Sequence, residues 1–192
     1  MILNSREVAI NILLDINESH SFSNISINKN MPEGINQQEE NFIRELVYGV
    51  LENKIYIDYI ISKASKIKIK KIHPAIREIL RIGIYQLIFM DRVPESAAVN
   101  ESVKLAKKYG HKGTIGFANG VLRSISRNIE EFAKIDVKDK LEYLSIKYSH
   151  PEYLVRIFLD KFGYEFTESL LIANNAKPLL NIRVNTLKIT KE

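Results

Sequence analysis

Basic side chains are concentrated between residues 63 and 81, where seven of them face a single acid, Glu78. They are Lys63, Lys66, Lys68, Lys70, Lys71, Arg77 and Arg81. Cations held on one surface bind a polyanion because each neutralised phosphate releases condensed counterions. The segment therefore predicts contact with a nucleic-acid backbone. The alternative is a lysine-rich turn that is only solvated.

A second basic group lies farther along the chain and comprises Lys104, Lys107, Lys108, Lys112, Arg123 and Arg127. Lys104 and Lys108 are four residues apart, so they share one face of a helix. The formal net charge of +5 also favours a polyanionic partner. The sequence leaves open whether the two basic groups meet in space.

Residues for catalysis or metal binding form no recognisable pattern. The chain has no cysteine, which excludes disulfides, thiolate zinc sites and cysteine nucleophiles. No histidine has a metal-ligand companion three or four residues away; the four are His20, His73, His111 and His150. No glycine-rich phosphate loop follows a strand pattern. We therefore expect no catalytic residue, no metal and no cofactor in this chain.

Apolar residues at helical spacing predict the elements that position the basic groups. Helices are expected from Asn4 or Ser5, over residues 37–53, 55–64 and 75–90, from Pro94 to Gly110, and from Thr114 to Asn128. The polar stretch 19–36 is predicted to be a loop, and Gly110 is expected to be left-handed at a helix end. Residues 66–70 alternate like a strand, but they precede a strong helix and are interpreted as a turn. Gly83 is expected to permit close helix contact.

The character of the chain changes after Ile129. Short helices are predicted up to Ile146, from Pro151 to Phe162 and around residues 167–174, followed by a strand over residues 179–185. The predicted domains are 1–132, a linking helix in 133–147, and 148–192 as the first part of a truncated second domain. No apolar run reaches the roughly 18 residues that a membrane span needs, and no leader pattern is present. A cytoplasmic protein is expected.

Three ordered motifs resemble the signature of NusB-like domains. They are Arg-Ile-Gly-Ile-Tyr-Gln-Leu at 81–87, Val93-Pro94 through Val99-Asn100-Glu101, and Phe-Ala-Asn-Gly-Val-Leu-Arg at 117–123. The form found here is closer to the methyltransferase branch than to the free antitermination factor. Two later segments, Tyr-Ser-His-Pro-Glu-Tyr-Leu at 148–154 and Leu-Asn-Ile-Arg-Val-Asn-Thr-Leu-Lys at 180–188, resemble the entry to the methyltransferase module of Sun/RsmB proteins.

The resemblance implies an all-α, NusB-like helical bundle that binds RNA, with small-subunit ribosomal RNA as the expected partner. It places Arg6 and the neighbourhood of Phe117 and Asn119 on the RNA-facing surface, and it makes Arg183 and Asn185 part of the module entry. A core aromatic role for Phe117 and a structural role for Asn119 are the alternatives. S-adenosylmethionine is expected for the parent enzyme, whose two catalytic cysteines this chain lacks.

The predicted function is therefore the RNA-targeting N-terminal region of an S-adenosylmethionine-dependent 16S rRNA cytosine-5 methyltransferase, inactive by itself. One alternative is a NusB-like antitermination or protein-interaction module. Another is a scaffold that docks onto its own missing catalytic domain. Apolar patches near Tyr153 and Leu180 would then be exposed, and the chain could form a dimer.

Overall fold

Asparagine side chains fix the starts of two long helices. Helix α1 (Ser5–Ser19) begins where the Asn4 side chain accepts hydrogen bonds from the backbone N–H of Arg6 (3.2 Å) and Glu7 (3.3 Å). Helix α3 (Gln37–Glu52) begins where Asn36 accepts from the Glu39 N–H at 2.8 Å. Each cap satisfies a donor that has no partner within the helix and contributes about 1 kcal/mol.

The computed structural model describes residues 4–177 together with Arg183, Asn185 and Lys188. The other elements are α2 (Ser23–Asn30), α4 (Lys54–Ala64), a 3-10 turn (Ile69–Lys71), α5 (Pro74–Phe89), α6 (Glu95–Tyr109), α7 (Lys112–Arg127), α8 (Ile129–Ala133), α9 (Lys140–Tyr148) and α10 (Glu152–Asn175). Every regular element in this part is helical, which confirms the all-α class. The strand predicted over residues 179–185 falls almost entirely outside the described residues. None of the described helices is long and apolar enough to cross a bilayer.

Helix α5 occupies the middle of the bundle, as its apolar circumference predicts. It packs against α1, α3, α4, α6 and α7. Gly83 allows α6 and α7 to pack closely on α5, because a Cβ atom there would lie 2.8 Å from Leu122 Cδ2 and 2.9 Å from Ser102 Oγ. The close helix contact expected at Gly83 is therefore present.

The prediction of a loop over residues 19–36 is wrong, because this stretch contains helix α2. Ile27 is fully buried in the main core. The Ser26 hydroxyl donates to Asp15 Oδ2 at 2.7 Å and lies 3.2 Å from the Ile12 carbonyl oxygen. These contacts with α1 hold about two turns of helix that the polar composition of the segment does not favour by itself.

Gly110 also differs from its prediction, because it is extended (φ −143°, ψ −170°) rather than left-handed. A Cβ atom at this position would lie 2.1 Å from Thr114 Oγ1, so crowding by the next helix explains the glycine. Thr114 belongs to a cap at the start of α7, in which its hydroxyl accepts from the His111 N–H at 2.9 Å. The Gly113 N–H donates to His111 Nδ1 at 3.2 Å.

A second, smaller core lies between α9 and α10. Its fully buried members are Leu144, Val155 and Leu171. Gly163 interrupts α10 with a left-handed backbone (φ 75°), so α10 consists of two helical segments. The predicted domain boundaries remain predictions, but α9 shares this core with α10.

Helix α4 holds the connection between the two cores. Lys63 Nζ donates to the carbonyl oxygens of Glu131 and Lys134, both at 2.8 Å. The Tyr56 hydroxyl donates to the Ala133 carbonyl at 2.8 Å, and the Asp136 N–H donates to the Tyr59 hydroxyl at 2.9 Å. Lys63, predicted to contact phosphate, is thus engaged with the backbone of the connecting segment.

Candidate nucleic-acid interface

An open groove between α6 and α7 brings together three of the residues predicted to bind RNA. Lys104, Asn119 and Arg123 line a cavity of about 650 Å³. Lys104 and Arg123 are exposed, and Lys104 Nζ lies 2.6 Å from Glu101 Oε1. Within the described part of the chain the half-buried Asn119 amide has no hydrogen-bond partner. Its donors and acceptor are therefore available to a ligand, which favours the contact role over the structural one.

A neighbouring cavity of about 450 Å³ extends this groove and shares Arg123 with it. Arg127 lines the extension, together with Asn100, which lines both cavities. Sequence reasoning missed Asn100 as a candidate, although it stands in the second motif of the resemblance. We call the two cavities together the α6–α7 groove. Its basic and amide side chains present the donors that phosphate and base edges accept from.

Two glycines without a packing role lie on the exposed side of α7, and Gly116 is one of the residues that line the groove. No heavy atom lies within 4 Å of the position that a Cβ would take at Gly116 or Gly120. Glycine inside a helix costs about 1 kcal/mol relative to alanine. The bundle does not require these two glycines, so close approach of a ligand backbone would explain them.

One residue of the first basic group lies near the start of α7. Lys71, from the first group, lines a cavity of about 230 Å³ with His111 and Gly113 at the start of α7. Lys66, Lys68, Lys70 and Lys71 are exposed and make no ion pair within the described residues. We call these four residues the lysine turn. Lys112, from the second group, is exposed and stands between His111 and Gly113 in the sequence.

Two arginines of the first group form ion pairs with carboxylates. Arg81 is 5% exposed at its side chain, and its guanidinium donates to Asp58 Oδ2 and Glu78 Oε1, both at 2.7 Å. Burial raises the pKa of Glu78, and the charge of Arg81 opposes this shift. Arg77 pairs with Glu18 at 2.9 Å. This arrangement favours structural roles for Arg77 and Arg81.

Arg6 is half-buried on α1 rather than projecting freely. Its Nε donates to Gln86 Oε1 at 2.7 Å, and its guanidinium carbon lies 5.1 Å from the centre of the Phe42 ring. Burial lowers the pKa of Arg6. Sequence reasoning missed Gln86 and Phe42, whose types gave no sign that they hold an arginine.

The remaining predicted residues lie apart from these surfaces or near the chain end. Lys108 pairs with Glu7 on α1. Arg183 and Asn185 are both exposed. No cluster of three or more potential metal-ligating side chains occurs among the residues that the structure describes.

Comparison with known proteins supplies matches to both parts of the chain. The model of the NusB family matches residues 3–127, and the model of the RsmF/B-like methyltransferase ferredoxin-like domain matches residues 150–192. A probable ribosomal RNA small subunit methyltransferase B of Bacillus subtilis is 35% identical over 95% of this chain. The match covers 41% of that relative, so the chain spans about two fifths of its length.

The bundle alone matches shorter proteins. The transcription antitermination protein NusB of Bacillus licheniformis is 37% identical over 66% of this chain and 96% of its own length. The crystal structure of antitermination factors NusB and NusE in complex with dsRNA contains a chain that is 25% identical, with a TM-score of 0.59. The match covers 64% of this chain and 93% of that one. The chain therefore belongs to the NusB family and continues, after its NusB bundle, into sequence of the RsmF/B-like ferredoxin-like domain.

Proposed function

We propose that this chain is the RNA-binding N-terminal region of an S-adenosylmethionine-dependent methyltransferase that modifies cytosine in small-subunit ribosomal RNA. The order of its parts supports this, because a NusB bundle followed by ferredoxin-like sequence occurs in relatives named as ribosomal RNA methyltransferases. Methyl transfer would belong to the portion of those relatives that this chain does not span. The chain's own task would be to hold RNA, in the cytoplasm, where ribosomal RNA is made and modified.

The observation that carries this proposal is the α6–α7 groove. Four residues predicted from sequence to bind RNA, spread over two helices, converge on it: Lys104, Asn119, Arg123 and Arg127. If these charges only interacted with solvent, nothing would explain why an amide without a hydrogen-bond partner lines the same groove as the exposed cations. Phosphate contacts from such cations position a nucleic acid, and amide groups can read base edges.

Binding of a small-subunit ribosomal RNA fragment at several salt concentrations tests the proposal. Each phosphate contact to a single strand contributes about 0.7 to the slope of log affinity against log salt. The double variant Lys104→Ala/Arg123→Ala should therefore bind more weakly and lower that slope by about 1.4. A matched variant, Lys29→Ala/Lys138→Ala, removes two charges outside the groove and should leave the slope unchanged. Equal slopes for both variants, or no RNA binding at low salt, would refute the proposal.

A free-standing antitermination or protein-interaction module is the second candidate. The match of the bundle covers nearly the whole length of an antitermination protein, and this favours the second candidate. The ferredoxin-like match over residues 150–192 argues against it, because that match belongs to a methyltransferase family. Preference for small-subunit ribosomal RNA over unrelated RNA of equal length would separate the two.

The outward side of α10 is the proposed docking surface for the catalytic domain of the full-length enzyme. Tyr153, Ile157, Phe162, Phe166 and Ile172 are all exposed along this helix. An apolar surface of this kind is typical of a contact with another protein element. The ferredoxin-like match includes α10, and the relatives that carry the match are more than twice as long as this chain. When that domain does not cover this surface, we expect two copies of the chain to cover it by forming a dimer.

A further inference from the structure

Residues 67–76 and the start of α7 flank an open cavity of about 230 Å³, and most of the side chains that line it are apolar. Ile67, Ile72, Ile76 and Phe117 line it. The rim carries Lys71, His73 and His111. This cavity shares no lining residue with the α6–α7 groove.

Ile67 gives the first indication that a ligand completes this cavity. It lies between Lys66 and Lys68 and is 43% exposed, whereas the neighbouring Ile69 packs on the main core. The alternation of lysine and isoleucine is therefore not a strand pattern. It directs lysines to solvent and an isoleucine into a cavity that the protein leaves unfilled.

We propose that the cavity receives one unpaired nucleobase of single-stranded RNA. The inference rests on the proposed RNA-binding function and adds a base site to it. Single-stranded RNA is recognised by splaying out bases onto aromatic and apolar side chains. Phe117, which is partly buried against the main core, is the aromatic residue that lines this cavity. The cavity is smaller than the roughly 300–1,000 Å³ of sites for drug-sized ligands, so it fits a flat ring system better than a whole nucleotide.

The charge around the cavity distinguishes RNA from a protein ligand. Every base in a strand has a phosphate on either side of it, so a base site should be surrounded by cations. Of the lysine turn, Lys71 lines the cavity, and Lys66 and Lys68 stand on either side of the lining residue Ile67 in the sequence. None of these three lysines is paired with a carboxylate in the described part of the chain. An apolar side chain of a protein would fit the floor of the cavity, but it would give these lysines no partner.

Two RNAs with the same phosphates test the inference. One is a dodecamer of uridylate, and the other is the same backbone with every base removed. The variant Ile67→Ser removes one wall of the cavity without changing its charge. The control Ile25→Ser makes the same substitution at a 54% exposed isoleucine on α2. Affinity for both RNAs is measured by fluorescence anisotropy over a range of salt concentrations.

The wild-type protein and the Ile25→Ser control should both prefer the RNA that has bases by about tenfold, as expected for one stacked base. Ile67→Ser should lose most of this preference while keeping the salt slope, because the phosphate contacts remain. Equal affinity of the wild-type protein for the two RNAs would overturn the base site but leave RNA binding intact. The same result is expected if the cavity receives a protein side chain. Failure to bind either RNA would overturn the proposed function as well.

Discussion

Individual basic residues of similar type have different environments in this protein. Lys68 and Arg81 both belong to the basic segment 63–81, yet Lys68 is exposed and Arg81 is buried between two carboxylates. The sequence could not separate them, because Asp58 lies on another helix and its approach to Arg81 is a tertiary contact. A charge count therefore overestimates the cations available to RNA.

The variant Arg81→Met should strongly destabilise the fold. It leaves Asp58 and the buried Glu78 without their common partner, and breaking a buried ion pair in this way costs about 3–5 kcal/mol. Urea denaturation followed by circular dichroism measures the loss. The control Arg44→Met breaks a partly exposed pair with Glu40 one helical turn away and should cost less than about 1 kcal/mol. Equal losses for the two variants would contradict a structural role for Arg81.

At the scale of the element, α7 shows how one helix can serve both the core and a ligand. Ala118, Val121, Leu122 and Ile125 are buried on one side, as their spacing predicts. The other side carries Gly116 and Gly120, which the packing of the bundle does not need. Helical spacing alone gives the buried side, whereas the open space above the glycines is visible only in the assembled bundle.

The variants Gly116→Ala and Gly120→Ala should stabilise the protein and weaken RNA binding. Alanine is favoured over glycine inside a helix by about 1 kcal/mol, and the added Cβ atoms meet nothing in the protein. Thermal unfolding and RNA titration measure the two effects on the same samples. Gly83→Ala is the matched control and should destabilise, because its Cβ would lie 2.8 Å from Leu122 Cδ2. Unchanged RNA affinity in both variants would remove the glycines from the interface.

At the scale of the whole molecule, the parts around the two cores differ in how many large apolar side chains they expose to solvent. Of the ten large apolar side chains that are exposed in the described residues, five lie on α10. The main core, inside the NusB bundle, is far larger than the core that α9 and α10 share. The unit formed by α9 and α10 is thus the part of the described chain whose exposed apolar side chains most favour contact with another protein surface.

Self-association of the chain tests the docking surface. Without a catalytic domain to cover α10, the protein should form dimers at high concentration, and Ile157→Glu should weaken them. Burying one isoleucine contributes about 1.5–3 kcal/mol, so the dissociation constant should rise about tenfold or more. Ile25→Glu changes an isoleucine of the same 54% exposure on α2 and should leave association unaltered. Sedimentation equilibrium that finds only monomers would contradict the docking proposal.

The sequence by itself determined the helical class, the central place of α5, the close contact at Gly83 and the membership of the two basic groups, because these follow from local spacing and residue type. The sequence did not predict helix α2 or the extended conformation of Gly110, since contacts with Asp15 and Thr114 decide them. Only the tertiary structure decided which cations stay free, that Lys71 meets His111 across a cavity, and that Lys104 and Arg123 share a groove. Proximity between helices depends on how they pack, and no pattern within one helix records it.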